Sequence, residues 1–99
     1  MSAIDKLTTY LDLVDNDYWH DVACLDARRV IDTNGIDLLE RIFVCCAQWP
    51  ENRLEHFAYI LDGGTEVEIR LLRMLAESEF SSVAFRAREV LRAQGAANA

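Results

Sequence analysis

The sequence is short of the features that mark secreted, membrane and disulfide-stabilised proteins. No apolar run approaches the length of a membrane-spanning helix, and the N-terminal stretch MSAIDKLTTYLDLVD lacks the basic-then-apolar pattern of a secretory signal. Cysteine is also scarce. Cys24, Cys45 and Cys46 are odd in number and two are adjacent, which favours buried free thiols in a reducing compartment. We therefore expect a cytoplasmic protein.

Positive charge is the next scarcity. The chain has 10 Lys and Arg against 17 Asp and Glu, a formal net charge of −7. Six aspartates and Lys6 give residues 1–27 a local charge of −5, whereas eleven acids and nine arginines give residues 28–99 only −2. An acidic end repels nucleic acid and anionic membranes and attracts basic proteins, so we expect no nucleic-acid or membrane partner. The simpler alternative is a solvated surface that aids solubility.

Strand patterns are missing as well. No segment sustains the alternation of apolar and polar residues that a half-buried strand shows, so the sequence predicts an all-α fold. A chain of 99 residues is too short for two cores, and an apolar share of 52% is enough for one. We therefore predict a single helical domain over residues 1–95 and a frayed tail at 96–99.

Six helices joined by short turns are predicted from apolar spacing and from capping signals. Ser2 is expected to cap the first helix and Asp15 or Asp17 the second, and the T-x-x-E pattern at Thr65 marks a capping box that starts the fifth. DTNG, residues 32–35, is expected to stop the second helix, because Asn and Gly tolerate left-handed backbone. The other predicted boundaries are ends near Val14, Gln48, residues 62–64 and Gly95, and starts before Leu38, at Pro50 and at Ser81 or Ser82.

A weak internal repeat accompanies these helices. Ala27, Phe57 and Ala87 are spaced thirty residues apart, and A-R-R-V-I at 27–31 matches A-R-E-V-L at 87–91. Equal spacing of apolar positions is typical of helical hairpins that each pack on the next. Chance agreement among the many apolar positions of an ordinary bundle is the competing explanation.

The segment from Trp49 to Leu91 resembles a HEAT-type helical repeat. Val83, Ala87 and Leu91 match the Val, Ala and Leu that such a repeat carries at four-residue steps in its second helix. A leucine-rich stripe in the first helix is matched by Leu71, Leu72 and Leu75. The period is shorter than the roughly 40-residue HEAT unit. The resemblance therefore implies three antiparallel helical hairpins in a compact HEAT-like bundle or short solenoid.

A small, acidic, all-helical chain of this kind is similar to immunity proteins of bacterial polymorphic-toxin systems. The nearest comparison is with those encoded beside contact-dependent growth inhibition toxins. Proteins of that class bind a secreted toxin domain, frequently a nuclease, and block it. The resemblance implies a cognate toxin domain as the partner. It assigns no role to any single residue.

The stretch DNDYWHD, Asp15 to Asp21, holds more carboxylates than helix capping needs. As a calcium loop it has Trp19 and His20 where an oxygen ligand and a glycine are required, and a zinc site lacks four paired ligands. Surplus acids beside an exposed aromatic fit a surface that binds a basic protein. The predicted partner-binding residues are Asp12, Asp15, Asp17, Tyr18 and Asp21, with Glu51, Glu55 and Tyr59 of the fourth helix on the same side of the stack.

Two other functions remain open beside an inhibitor. One is a HEAT-like scaffold or adaptor that binds a helical peptide in an apolar groove. The other is an enzyme with Asp and His residues in a metal-assisted hydrolase site. His20 and His56 have no Ser or Cys nucleophile that the sequence pairs with them, so we predict no catalytic residue, no metal ligand and no cofactor. An ordinary exposed helix surface explains any single candidate residue equally well.

Overall fold

Five α-helices make up the part of the chain that the computed structural model describes, residues 2–95. They are α1 (Ala3–Leu11), α2 (Cys24–Cys45), α3 (Glu51–Ile60), α4 (Glu66–Ala76) and α5 (Ser81–Ala93). A π-helical turn, Trp19–Ala23, leads directly into α2, and a 3-10 turn, Cys46–Gln48, follows it. Residues 2–95 contain no β-strand, which confirms the all-α prediction. The predicted frayed tail at 96–99 lies outside the described residues.

The sequence predicts six helices, and the structure has five because the predicted second and third form one element. The predicted break at 32–35 is present at Gly35, whose φ of 70° and ψ of −153° are not helical, so α2 consists of two helical halves that meet at a kink. Asn34 supports the kink through its side-chain amide, which donates to the Val30 carbonyl at 2.7 Å. The first helix ends at Leu11, three residues before the predicted end near Val14.

Side chains cap the starts of α1, of the segment that leads into α2, and of α4, whereas α3 and α5 begin without a side-chain cap. Ser2 caps α1 in a full capping box, because its hydroxyl accepts from the Asp5 amide at 3.1 Å and the Asp5 carboxylate accepts from the Ser2 amide at 3.5 Å. The prediction that Asp15 or Asp17 caps the next helical segment is wrong. The Asn16 side chain does so instead, accepting from the Trp19 amide at 3.0 Å.

The core lies where all five helices meet. α1 packs along α2, α4 pairs with α5, and α3 lies against α5 and also touches α1 and α2. The described chain measures 37 × 28 × 25 Å. Ala27, Phe57 and Ala87, spaced by thirty residues, are all fully buried, whereas Val90 and Leu91 are only partly covered. Within residues 2–95 no helix is long and apolar enough to cross a bilayer.

A buried ion pair joins α2 to the start of α4. Arg28 donates to both Glu68 oxygens, at 2.7 and 3.1 Å, and also to the Ile60 carbonyl at 3.1 Å. The hydrogen bonds and charge of Glu68 raise the pKa of Arg28 against the opposing effect of burial. Thr65 accepts from the Glu68 amide at 3.2 Å as predicted. The second half of the predicted capping box is missing, because the Glu68 carboxylate accepts from Arg28 and from the Asp62 amide and makes no hydrogen bond to the Thr65 amide.

The cysteines follow the prediction in part. All three are free thiols, and Cys24 and Cys46 are buried. The prediction that Cys45 is buried is wrong, because the helix turns its side chain away from Cys46 and out to solvent. Burial raises the pKa of the Cys46 thiol to about 11, with a further contribution from Cys45.

Candidate functional site

The predicted acidic residues of the N-terminal segment form two groups, and those of the first group bind other side chains of the same molecule. Asp12 follows α1, and Arg53 of α3 donates to both its carboxylate oxygens at 2.8 Å. These hydrogen bonds raise the pKa of Arg53. The Asp15 carboxylate accepts a hydrogen bond from His20, whose Nε2 lies 2.6 Å from the Asp15 Oδ1. Asp12 and Asp15 therefore hold the segment after α1 in place, and their charges are partly engaged inside the molecule.

The second group lies on the open surface. Asp17, Tyr18 and Asp21 are all exposed, and Tyr18 keeps 58% of its surface accessible. Neither aspartate forms an ion pair with any residue in 2–95. Val22 and Leu25 extend the same outward side of this segment, with 42% and 61% of their surface accessible. We call Asp17, Tyr18, Asp21, Val22 and Leu25 the outer face.

The sequence reasoning missed the apolar part of the outer face. Val22 and Leu25 follow Tyr18 at four and seven residues, a spacing that places side chains on one side of a helix. The signal was therefore readable from the sequence. It was masked because Trp19, Ala23 and Ala27, the buried residues of the same segment, form the stronger apolar stripe.

The predicted residues of α3 divide in the same way. Glu51, at the first position of the helix, accepts from the Ser82 hydroxyl of α5 at 2.7 Å. Tyr59 keeps 37% of its surface accessible, and the Arg86 guanidinium lies 5.1 Å from its ring centre. Glu55 is partly exposed and lines a cavity beside Tyr59. Of these three residues, Glu55 and Tyr59 line the same cavity as Asp15, and Glu51 does not.

The cavity brings the two predicted groups together. It measures about 160 Å³, and Asp15 and His20 line one part of its wall. The rest of the wall comes from α3 and α5, through Glu55, His56, Tyr59 and Arg86. Asp15, Glu55 and Tyr59 were predicted as members of one surface, and they share this cavity. Asp17, Tyr18 and Asp21 do not line this cavity.

His56 is the deepest polar group of the cavity, with 2% of its surface exposed. Its ring stacks on Trp19, with centroids 3.7 Å apart and planes 16° from parallel. Its Nδ1 lies 2.8 Å from the Leu11 carbonyl oxygen, and its Nε2 is buried without a hydrogen-bond partner in the described chain. The apolar stripe of this helix, Leu54, Phe57, Ala58 and Leu61, does not include His56, so helical spacing alone predicts an exposed histidine. Its burial follows from Trp19, thirty-seven residues away in the chain, which the local pattern does not reveal.

The side chains of residues 2–95 form no group of three or more His, Cys, Asp or Glu arranged to hold a metal ion. Comparisons with protein-family models, with curated proteins and with solved structures each returned no match.

Proposed function

We propose that this chain is an immunity-type inhibitor that binds a basic toxin domain and blocks it. The observation that carries the proposal is the outer face, where two carboxylates without internal partners flank three exposed apolar side chains. Monomeric proteins expose isolated apolar residues routinely, but a grouped set beside unpaired charge is typical of a protein-binding surface. The partner that fits it carries lysine or arginine around an apolar patch.

The mechanism we infer is electrostatic capture followed by apolar contact. The unpaired carboxylates of Asp17 and Asp21, in a chain of net charge −7, attract a basic domain over a distance of about 10 Å at ordinary ionic strength. Tyr18, Val22 and Leu25 then supply the apolar area that slows dissociation. A toxin that acts on nucleic acid needs a basic groove, and an acidic protein seated there excludes the phosphate backbone.

The shortened HEAT-like arrangement is part of the same proposal. It is supported by the full burial of Ala27, Phe57 and Ala87 at thirty-residue spacing and by the pairing of α1 with α2 and of α4 with α5. In such a stack, the turn before α2 and the helix α3 present their outward sides together. The adjacency is supported by His20, which lies between Tyr18 and Asp21 in the chain and lines the cavity beside Tyr59.

The test uses the C-terminal toxin domain encoded by a gene adjacent to that of this chain. Stopped-flow association is measured at 50 and 500 mM NaCl for the wild type and for the double variant Asp17→Lys/Asp21→Lys. We expect the rate constant to fall at least about tenfold with salt and with the double variant. A rate that changes with neither contradicts the mechanism.

A matched control separates local from total charge. Asp37→Lys/Glu77→Lys makes the same change in net charge at two exposed positions outside the outer face. We expect it to reduce association much less than the Asp17/Asp21 pair does. Equal losses in the two double variants mean that net charge alone steers the partner and that the outer face has no special role.

A scaffold that binds an apolar helical peptide is the second candidate, and a groove of about 160 Å³ favours it. The groove runs from the end of α2 past α3 to the turn between α4 and α5, with Ala47, Leu54, Met74 and Phe80 in its wall. Ala47 is exposed at its edge, so Ala47→Arg blocks the groove without disturbing the core. Loss of partner binding in Ala47→Arg but not in Asp17→Lys/Asp21→Lys identifies this function instead.

A further inference from the structure

The cavity beside Tyr59 contains an acceptor that no described group satisfies. The Leu11 carbonyl can only accept a hydrogen bond, so the His56 Nδ1 that lies 2.8 Å from it carries the hydrogen. In a neutral imidazole this leaves the Nε2 with a lone pair and no hydrogen. That Nε2 is fully buried and has no partner within residues 2–95. A buried acceptor without a donor is costly, so the site favours a group that donates.

Two carboxylates stand beside this nitrogen. The Asp15 Oδ1 lies 3.9 Å from the His56 Nε2, and Glu55 lines the same cavity. Neither carboxylate pairs with a lysine or arginine in the described chain. Arg86 lies over the Tyr59 ring. With the imidazoles neutral, Asp15, Glu55 and Arg86 leave one net negative charge at the cavity.

We propose that this cavity receives a single ammonium or guanidinium group from a basic side chain of the partner. This inference rests on the proposed function, because it takes the cation to belong to the bound protein. The His56 Nε2 and the two carboxylates supply acceptors for several donors on one cation. The volume of about 160 Å³ is similar to that of engineered cavities of about 150 Å³ that admit a benzene ring, which is enough for either group.

A metal ion fits these residues less well. Residues 2–95 contain no group of three or more His, Cys, Asp or Glu arranged to hold a metal ion, and zinc requires its ligands to converge at about 2.0–2.2 Å around one point. An anion fits less well too, since Arg86 is the one cationic side chain in the wall and two carboxylates oppose it. Both ligand classes become outcomes of the test.

The first measurement titrates the ¹⁵N-labelled protein with n-butylammonium chloride at constant ionic strength. Trp19 reports the site because its indole stacks on His56, whereas Trp49 packs on Phe57 and serves as the internal control. We expect a saturable shift of the Trp19 indole resonance and none at Trp49. Shifts no larger than those caused by sodium chloride, or a saturable shift with sodium butyrate instead, overturn the proposal.

Two variants in the cavity wall give opposite expectations. Glu55→Gln removes one attracting charge and should weaken n-butylammonium binding roughly fivefold, whereas Arg86→Gln removes the opposing charge and should strengthen it roughly fivefold. Both side chains are partly exposed, so neither change threatens folding. Glu77→Gln, outside the cavity, should leave the affinity unchanged. Weaker binding in Arg86→Gln assigns the cavity to an anion and overturns the proposal.

A third titration uses zinc chloride. Saturable shifts of His20 and His56 with zinc that are reversed by EDTA, in a protein that does not respond to n-butylammonium, assign a metal site and overturn the proposal. The titrations use the protein alone, so their failure leaves the toxin-binding test at Asp17 and Asp21 untouched. Conversely, n-butylammonium binding together with unchanged toxin association in the Asp17→Lys/Asp21→Lys variant supports the cavity and rejects the proposed use of the outer face.

Discussion

Among single residues, Glu68 is the most deeply buried charge of the described chain, with 1% of its surface exposed. It lies in α4, and its carboxylate accepts from Arg28 of α2 and from the Asp62 amide. A buried ion pair owes its stability to complete hydrogen bonding, because each charge alone is costly to desolvate. Glu68 therefore fixes the position of α4 against α2, and its loss leaves Arg28 with the more exposed carboxylates of Asp32 and Asp62 and with the Ile60 carbonyl.

Replacing Glu68 with Gln is expected to lower the free energy of unfolding by roughly 3 kcal/mol, which is the lower end of the range for a broken buried ion pair. The lower end applies because Arg28 is 23% exposed and keeps two carboxylate partners. Urea unfolding followed by circular dichroism measures the loss. Arg29→Gln is the matched control, because its pair with Asp26 involves a side chain that is 74% exposed. The control should change stability by less than about 1 kcal/mol. An equal loss in both variants contradicts the assignment.

Cys46 gives the chain a dependence on alkaline pH. Its pKa rises from the ordinary 9.0 to about 11 on folding, so the folded protein binds the proton more tightly than the unfolded chain does. The resulting stabilisation is complete below pH 9 and is lost as pH rises through 11. Between pH 8 and 10.5 the thiol should cost the fold about 2 kcal/mol.

The measurement compares urea unfolding of the wild type and of Cys46→Ala at pH 8 and 10.5. Subtracting the two curves removes the titration of the tyrosines and of Lys6, which both proteins share. Cys45→Ala, which changes an exposed thiol, should retain most of the wild-type pH dependence, because burial is the larger cause of the raised Cys46 pKa. If Cys46→Ala loses as much stability as the wild type over this interval, burial does not raise the Cys46 pKa.

At the scale of the elements, the kink of α2 depends on one glycine. Gly35 has a φ of 70° and a ψ of −153°, a region that is almost closed to residues with a Cβ. A Cβ built there meets no atom within 4 Å, so the penalty for a side chain is conformational and involves no clash. The kink at Gly35 sets the direction of the second half of α2 relative to the first.

Gly35→Ala is therefore expected to destabilise the fold by about 1–3 kcal/mol, the usual cost of forcing a non-glycine residue into that region. Gly64→Ala is the control, because Gly64 has no positive φ and its nearest neighbour is an exposed carboxylate of Asp62 at 3.1 Å. The control should stay within about 0.5 kcal/mol of the wild type. A smaller loss in Gly35→Ala than in Gly64→Ala rules out strain at the kink.

The same element shows what local pattern can and cannot predict. Asn34-Gly35 is a strong stop signal, and it does mark a break in helical geometry. Whether the chain then turns back or continues into a second helical half depends on what each half packs against. Those contacts involve residues distant in the sequence, so a short stretch of sequence does not reveal them. The choice of Asp15 or Asp17 over Asn16 as the cap was likewise not decidable locally, because Asp and Asn suit that role equally.

Across the whole molecule, the all-helical fold and most of the buried positions were predictable because helical spacing is a local signal. The partners of the buried polar groups were not. The sequence predicts that Glu68 completes a capping box with Thr65, whereas in the structure its carboxylate binds Arg28, forty residues earlier in the chain. The acidic residues were predicted as one surface, but Asp12 and Asp15 bind Arg53 and His20, whereas Asp17 and Asp21 form no ion pair within residues 2–95.

Contacts between distant parts of the chain bear on how the molecule unfolds. Trp19 stacks on His56, Asp12 pairs with Arg53, and Arg28 joins α2 to Glu68 of α4. In an extended array, each hairpin touches only its neighbours and can open separately. Here the N-terminal segment is tied to α3, and α2 is tied to α4. We therefore expect one cooperative transition for the whole described chain.

The variant Trp49→Phe, which leaves Trp19 as the only tryptophan, tests this expectation in urea. Trp19 fluorescence reports the N-terminal third, and circular dichroism at 222 nm reports all five helices. The two midpoints should coincide, with a common slope of about 1 kcal/mol per molar urea. His56→Ala removes the stack on Trp19 and should shift both curves together to lower urea. If only the fluorescence curve moves, the N-terminal segment unfolds independently, and the molecule behaves as a stack of separable hairpins.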